Sequence, residues 1–380
     1  MPTMYPHGEH NYSDQDEWFY NSIKRYKELV MFETEYVVEQ IEFSDARSIC
    51  VLGRKTTGQS VLSELALPSK LVDKKKSIVA MNSDLKIKSG VFPAAPIAQI
   101  ICIYGEGKVV AAEQSLPGVA LYELNVADTD QILRSGTLKA PFTQPVLSLV
   151  DARTLLLTAN SDEKPVLLDL TSGQTCAPLN QCSNTPDEDV LPAVVSPKVA
   201  LLCRKKDSET ILYDVRSGTK VGSINGINKC DVWTVTTNYH ALRHPSPVLT
   251  TFAFLSASGL LRVYDLRKLD QEISNCQLEL PDTQVKVADP RIHLSPTGDY
   301  LSVSGFDAAV GIYHLGPSNS ATEVFRHDGH NHMEQCHDTE LTTITDHVWY
   351  DDYTVISAGD NMSLNCWQPT SLKLLWHRLY

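Results

Sequence analysis

Six short β-rich runs in this chain end alike, and they recur at a nearly fixed interval. They are VALYE at Tyr122–Glu123, PVLLD at Leu168–Asp169, TILYD at Tyr213–Asp214, LRVYD at Tyr264–Asp265, VGIYH at Tyr313–His314 and LNCWQ at Trp367–Gln368. Successive endings lie 46, 45, 51, 49 and 54 residues apart. A period of this length marks a repeat architecture, in which each unit needs its neighbours to bury its apolar faces.

Upstream of each ending lies a second strand-like run, as in TLLLTA (154–159), KVALLC (198–203) and TVISAG (354–359). A third lies farther upstream, as in PVLSLV (145–150), DVWTVT (231–236) and DHVWY (346–350). After the ending comes a weaker fourth, such as TKVGSI (219–224) and SLKLLWHRL (371–379). Gly, Pro, Asn and Asp punctuate these β-branched and aromatic runs. Four short antiparallel strands per repeat make the blade of a β-propeller. A divergent unit at the front supplies YVVEQIEF (36–43), SICVLG (48–53), SVLSELAL (60–67) and a fourth strand within 79–90. The count is then seven blades in one all-β domain spanning 32–380. Gly305 with Asp307, and Gly359 with Asp360, mark the tight turns of two blades. Asp at such a turn can accept nearby backbone N–H bonds or hold a histidine before the next blade.

The densest histidine segment is FRHDGHNHMEQCHDTE (325–340). Its His327, His332, Cys336 and His337 invite a metal reading. Yet the spacing matches no preformed zinc pattern, and no second ligand pair stands at a standard distance. His330, in the Gly329–His330 pair, reads instead as a buried structural histidine ahead of the last blade. No HExxH, GxSxG, P-loop or kinase signature occurs. GEGKVV (105–110) lacks the third glycine and following helix of a dinucleotide loop, so it reads as a hairpin turn. No catalytic residue, metal or cofactor is expected.

The chain has a formal net charge of −13, which disfavours non-specific nucleic-acid binding. Its nine cysteines are odd in number, form no CxxC and sit mostly in apolar runs. That pattern suits a reducing compartment, so the chain is expected to be cytosolic or nuclear. The polar, acidic N-terminus has no signal-peptide h-region, and no apolar run is long enough for a membrane helix. One basic stretch, KLVDKKKSIVAMNSDLKIK (70–88), carries Lys74, Lys75 and Lys76; it reads as a solvated loop or as a docking patch for an acidic partner.

Residues 1–12 read as a disordered tail and 13–31 as a short N-terminal α-helix. Ser13 and Asp16 resemble a capping box, and Phe19, Ile23, Tyr26 and Val30 fall on one stripe widened by Trp18. Trp18, Phe19, Ile23 and Tyr26 are therefore candidate packing or partner-binding positions. LVMFE (29–33) could alternatively be a strand that completes the last blade, a place the C-terminal LKLLWHR competes for.

The order of DEWFYNSIKRYKELVMFE (16–33), SVSGFDAAVGIYHL (302–315), FRHDGH (325–330) and DHVWYDDYTVISAGDNMSLNCWQ (346–368) resembles a family of WD-repeat β-propeller proteins. The resemblance implies a seven-bladed WD-repeat β-propeller acting as a monomeric, non-enzymatic scaffold. Asp214, Asp265, Asp307, Asp360 and His330 would then be structural blade residues. It further implies assembly of the Integrator RNA-cleavage complex, with the endonuclease subunit, its inactive paralogue and a HEAT-repeat assembly factor as partners. Links to snRNA processing, microtubules and cell-cycle progression come with the same family. A rival reading rests on YDVR (Tyr213–Arg216) and YDLR (Tyr264–Arg267). These resemble the paired boxes of substrate receptors for cullin-based ubiquitin ligases, which makes Arg216 and Arg267 candidate partner-binding residues.

Overall fold

The computed structural model describes residues 20–373 apart from 23, 69–83, 115–116, 125, 127–128, 159–163, 177–188, 228–230, 240–249, 281–289, 317–319 and 333–341. After helical backbone at 20–22 and 24–25 the chain enters β1 (Tyr26–Glu33). Blade 1 follows as β2 (Val37–Phe43), β3 (Ser48–Arg54), β4 (Ser60–Ala66) and β5 (Lys86–Val91). Blade 2 is β6 (Ile97–Ile103), β7 (Lys108–Glu113), β8 (Pro117–Glu123) and β9 (Leu133–Thr143). Blade 3 is β10 (Val146–Leu149), β11 (Thr154–Thr158), β12 (Val166–Asp169) and β13 (Thr175–Cys176). Blade 4 is β14 (Val190–Ser196), β15 (Val199–Arg204), β16 (Thr210–Asp214) and β17 (Thr219–Ile224). Blade 5 is β18 (Trp233–Thr237), β19 (Thr251–Ser256), β20 (Leu260–Asp265) and β21 (Lys268–Gln277). Blade 6 is β22 (Arg291–Leu294), β23 (Tyr300–Ser304), β24 (Val310–Leu315) and β25 (Ala321–His327). Blade 7 is β26 (Ile344–Trp349), β27 (Val355–Gly359) and β28 (Ser363–Pro369), with β1 as its outer strand.

The seven sheets form a closed β-propeller. Middle strands are sandwiched between neighbouring blades, so both of their faces need apolar side chains. Leu155, Leu156 and Leu157 on β11 are accordingly all fully buried. Cys50, Leu52 and Leu62 of blade 1 pack on Ile97, Ile100, Cys102 and Val109 of blade 2. Each such Leu or Ile contributes about 1.5–3 kcal/mol by leaving water. Outer strands keep one face in solvent, which is why their runs are weaker: β9 and β21 are mostly exposed.

The six repeat endings are the third strands of blades 2 to 7, and Tyr122, Leu168, Tyr213, Tyr264, Tyr313 and Trp367 are all buried. Burial obliges a tyrosine hydroxyl to find a partner. Tyr122 donates to Glu113 at 2.8 Å, and Arg134 clamps the same carboxylate. Blade 5 repeats this with Tyr264, Glu272 and Arg262, and blade 6 with Tyr313, Glu323 and Arg326. The outer strand opposite this position bulges by one residue in blades 2, 4, 5 and 6, at Ser135, Val221, Ile273 and Val324.

The hub is held by one repeated device. On the innermost strands of blades 1, 2 and 7, the residue after a β-bulge reaches to the next blade and accepts a backbone N–H. Gln40 accepts from Ile100 at 2.8 Å, Gln99 from Leu147 at 2.8 Å, and Asp346 from Ile41 at 2.7 Å. Blades 7, 1, 2 and 3 are thereby chained together around the axis. Both glutamines also donate to the carbonyl of the same partner residue.

The helix expected over 13–31 is corrected at its C-terminal part. From Tyr26 the backbone is a strand that pairs with β28, with Leu29 opposite Trp367 and Phe32 opposite Leu364. The open edge of β28 offers a row of backbone donors and acceptors, and satisfying it outweighs the modest helix preference of this segment. The ring is closed by the N-terminal strand. The C-terminal run enters a short 3-10 turn at Ser371–Lys373 instead of a strand, and residues beyond it lie outside the described part.

Candidate functional site

The histidine-dense segment begins where the ring closes. His327 ends β25, and His330 lies in a 3-10 turn (Gly329–His332) leading to blade 7. Both imidazoles are fully buried. One His330 nitrogen meets the Ser357 hydroxyl at 2.8 Å and the other meets Ser363. Trp367 donates its indole N–H to the same Ser357 oxygen at 3.0 Å, and Asn361 donates to the His330 carbonyl at 2.8 Å. His330 thus pins the connection to the middle strands of blade 7. Burial lowers its pKa to about 3, so it is neutral at physiological pH.

Asp307 and Asp360 occupy the turns between second and third strands, but neither contacts His330. Asp307 accepts from the Ala309 N–H and pairs with Arg326. Asp360 accepts from the Thr343 N–H at 2.9 Å and from its hydroxyl. The place beside His330 is taken by Ser363, which Asn361 orients through its side-chain oxygen. Gly359 is required there: a Cβ would sit 2.6 Å from that oxygen and 3.2 Å from the His330 ring.

His327 faces the closing strand. The Tyr26 hydroxyl lies 2.7 Å from its Nδ1, the Asn365 amide lies 3.2 Å from its Nε2, and its ring stacks on Trp367 at 4.5 Å. Burial together with His330 and Arg25 pushes its pKa well below the usual imidazole value. Among the described residues, no group of three or more His, Cys, Asp or Glu side chains is placed to hold a metal ion. Cys336 and His337 lie outside the described residues, as does the side chain of His332.

A channel of about 370 Å³ runs along the axis, lined by innermost strands from all seven blades. Among its polar groups, Gln40, Gln99, Thr237, Arg291 and Asp346 make blade-to-blade bonds. Asp346 is flanked by Arg291 at 3.3 Å and His293 at 4.0 Å, and burial raises its carboxyl above the ordinary value. Trp349 donates across to the His293 carbonyl at 3.1 Å. Sequence reasoning missed this hub. The signal was present as two Gln-Ile pairs, Gln40–Ile41 and Gln99–Ile100, the second inside an otherwise apolar first strand.

The remaining candidate residues fall in two groups. Asp214 and Asp265 end third strands, and each accepts the backbone N–H of the arginine two residues on, Arg216 and Arg267, at 2.9 Å. Each arginine also pairs with that aspartate through its side chain. The Arg267 interaction, with Nε and Nη2 both engaged, holds Asp265 far below the usual carboxylate range. The arginine heads nevertheless stay about 70% exposed. Trp18, Phe19, Ile23, Lys74, Lys75 and Lys76 lie outside the described residues, and Tyr26 is a buried closure residue instead of part of a helical stripe.

No family model matches the chain. Individual proteins do, along its whole architecture. The Integrator complex assembly factor WDR73 of Danio rerio is 28% identical over 378 residues, covering 93% of this chain and 96% of its own length. The Xenopus laevis protein of the same name is 26% identical over 370 residues, and the human one 22% over 392. From the first blade to the last, the chain resembles WDR73. The WDR73 matches span 92–94% of this chain, so the likeness extends through the middle blades and is not confined to the N-terminal segment and blades 6 and 7.

Proposed function

We propose that this chain is a non-enzymatic scaffold for assembly of the Integrator complex, with the endonuclease subunit module among its clients. One observation carries the reading: proteins named for that role match the chain over the full ring, covering 96–98% of their own length. The geometry supports the scaffold part. Gln40, Gln99 and Asp346 on the axis hold blades together, and a rigid ring leaves its loops and outer edges as the variable, partner-facing surface. The buried free thiols Cys50, Cys102, Cys203 and Cys366 fit work in a reducing compartment, the cytosol and the nucleus.

The test is affinity purification of the tagged protein from cytosolic and nuclear extracts, with quantitative mass spectrometry. Integrator subunits, the endonuclease and its inactive paralogue foremost, should be enriched over an unrelated seven-bladed propeller. Their absence from both fractions would overturn the reading.

A further inference from the structure

Two adjacent blades carry the same unusual pair of side chains at equivalent positions. In blade 4, Arg216 sits in the turn after the third strand, and Val221 is the bulged residue of the outer strand opposite Tyr213 and Leu212. In blade 5, Arg267 sits in the same turn, and Ile273 is the bulged residue opposite Tyr264 and Val263. The bulge turns these aliphatic side chains outward: Val221 is 53% exposed and Ile273 42%. The equivalent position in blade 2 is Ser135, and in blade 6 it is the partly buried Val324. An exposed aliphatic residue beside an exposed arginine is therefore specific to blades 4 and 5 among these.

The two edges are contiguous. Leu269, on the outer strand of blade 5, packs so close to Gly222 of blade 4 that a Cβ there would lie 3.1 Å from its Cδ1. A cavity of about 570 Å³ is lined by Asp265, Arg267, Lys268, Gln271, Glu272 and Ile273. Lys220, on the outer strand of blade 4, is exposed as well. Asp214 and Asp265 accept backbone N–H groups and pair with Arg216 and Arg267, Glu272 is held by Arg262 and Tyr264, and Asp270 is exposed on the same outer strand. Four exposed basic side chains, Arg216, Lys220, Arg267 and Lys268, thus accompany the aliphatic stripe, while Asp214, Asp265 and Glu272 are only partly exposed.

We propose that the outer edges of blades 4 and 5 form one docking surface for an extended acidic segment of a protein partner. Arg216 and Arg267 take its carboxylates, and Val221 and Ile273 take aliphatic side chains between them. The arginines are pre-positioned for this. Asp265 engages the Nε and Nη2 donors of Arg267, which leaves the Nη1 donors of a side chain whose rotamer is already fixed. Arginine is enriched in protein–protein interfaces, and burying the two aliphatic side chains beside it would remove apolar area from water. This surface deepens the scaffold reading and rests on it for its partner.

Two measurements separate the surface from that reading. First, the full chain is titrated with a fluorescent peptide alternating aspartate and leucine, and with one alternating lysine and leucine. Only the acidic peptide should bind, and R216E/R267E or V221K/I273K should each weaken it by about tenfold or more. Equal binding of both peptides, or no change in either variant, overturns the proposal. Second, the affinity purification is repeated with the milder R216A/R267A variant, its fold checked by circular dichroism. Wild-type capture of Integrator subunits that the variant loses supports the surface; equal capture by both sinks it and leaves the scaffold standing. Failure of the wild type to capture them sinks the scaffold reading alone, and the peptide titration still decides the surface.

Discussion

The Tyr26 hydroxyl lies 2.7 Å from Nδ1 of His327, and both side chains are buried although 301 residues separate them in the chain. This bond joins the first strand to the last strand of blade 6, at the seam where the ring closes. Phe325 and Trp367 pack edge-on against the Tyr26 ring at 5.1 and 6.5 Å. Arg25, beside it, pairs with Asp328 at 3.3 Å and lies over Phe325. The closure is thus a cluster of aromatic packing joined by the Tyr26–His327 bond and the Arg25–Asp328 pair.

Tyr26→Phe keeps the packing and leaves Nδ1 of His327 without its Tyr26 partner. It should cost about 1–3 kcal/mol, the penalty for a buried group left without its partner. Tyr26→Ala should cost about 3–5 kcal/mol, because a cavity opens among the rings of Phe325, His327 and Trp367. Urea denaturation of both variants checks this, and a Tyr26→Phe variant as stable as the wild type would show that the hydroxyl contributes nothing.

Acid should weaken the fold earlier than carboxylate titration would. Burial lowers His330 to about 3 and His293 to about 4, and it takes His327 and His347 well below their ordinary value. The unfolded chain binds protons near pH 6.5 where the native one refuses them, so stability is complete above that pH and declines below it. Each histidine contributes about 1.4 kcal/mol per pH unit down to its folded value. Asp346 acts oppositely, since burial raises its folded value and protonation there favours the native state. Urea midpoints at pH 7.5 and 5 should differ, and His330→Gln should shrink the difference. A midpoint unchanged between the two pH values would refute this.

Gln99→Ala removes both bonds to Leu147 and should cost about 1–3 kcal/mol. The sharper readout is local. Amide exchange at Leu147 should quicken relative to Leu155 on the next strand, and equal protection at both would contradict the chained hub.

Glu113 is buried and holds both the Tyr122 hydroxyl and the Arg134 guanidinium. Glu113→Ala should cost about 3 kcal/mol, mostly through the tyrosine hydroxyl left buried and unpaired. The double variant with Tyr122→Phe should recover part of that loss in thermal melts. No recovery would mean that the carboxylate matters only to Arg134.

Much of the fold was legible because burial on both faces forces middle strands to be continuous apolar runs, and because packing fixes a large buried side chain near the end of the third strand, aromatic in five blades. The first three strands of blade 1, read from 36–43, 48–53 and 60–67, fall at Val37–Phe43, Ser48–Arg54 and Ser60–Ala66. The segment Tyr26–Glu33 was not legible, because its spacing suits a helix as well as a strand and only the unpaired edge of β28 decides. Nor was the seat of His330: serine and asparagine in place of a turn aspartate look unremarkable until the chain brings residues 330, 357 and 363 together.

By itself the sequence determined the strand pattern, the period and therefore the number of blades, since these are set by side-chain burial within about fifty residues. The tertiary structure alone decided how the ring shuts, which glutamines and aspartate chain the hub, and that Arg216, Val221, Arg267 and Ile273 share one rim. Those relationships join backbone and side chains from different blades, and local hydrophobic patterning carries no record of contacts made across such distances.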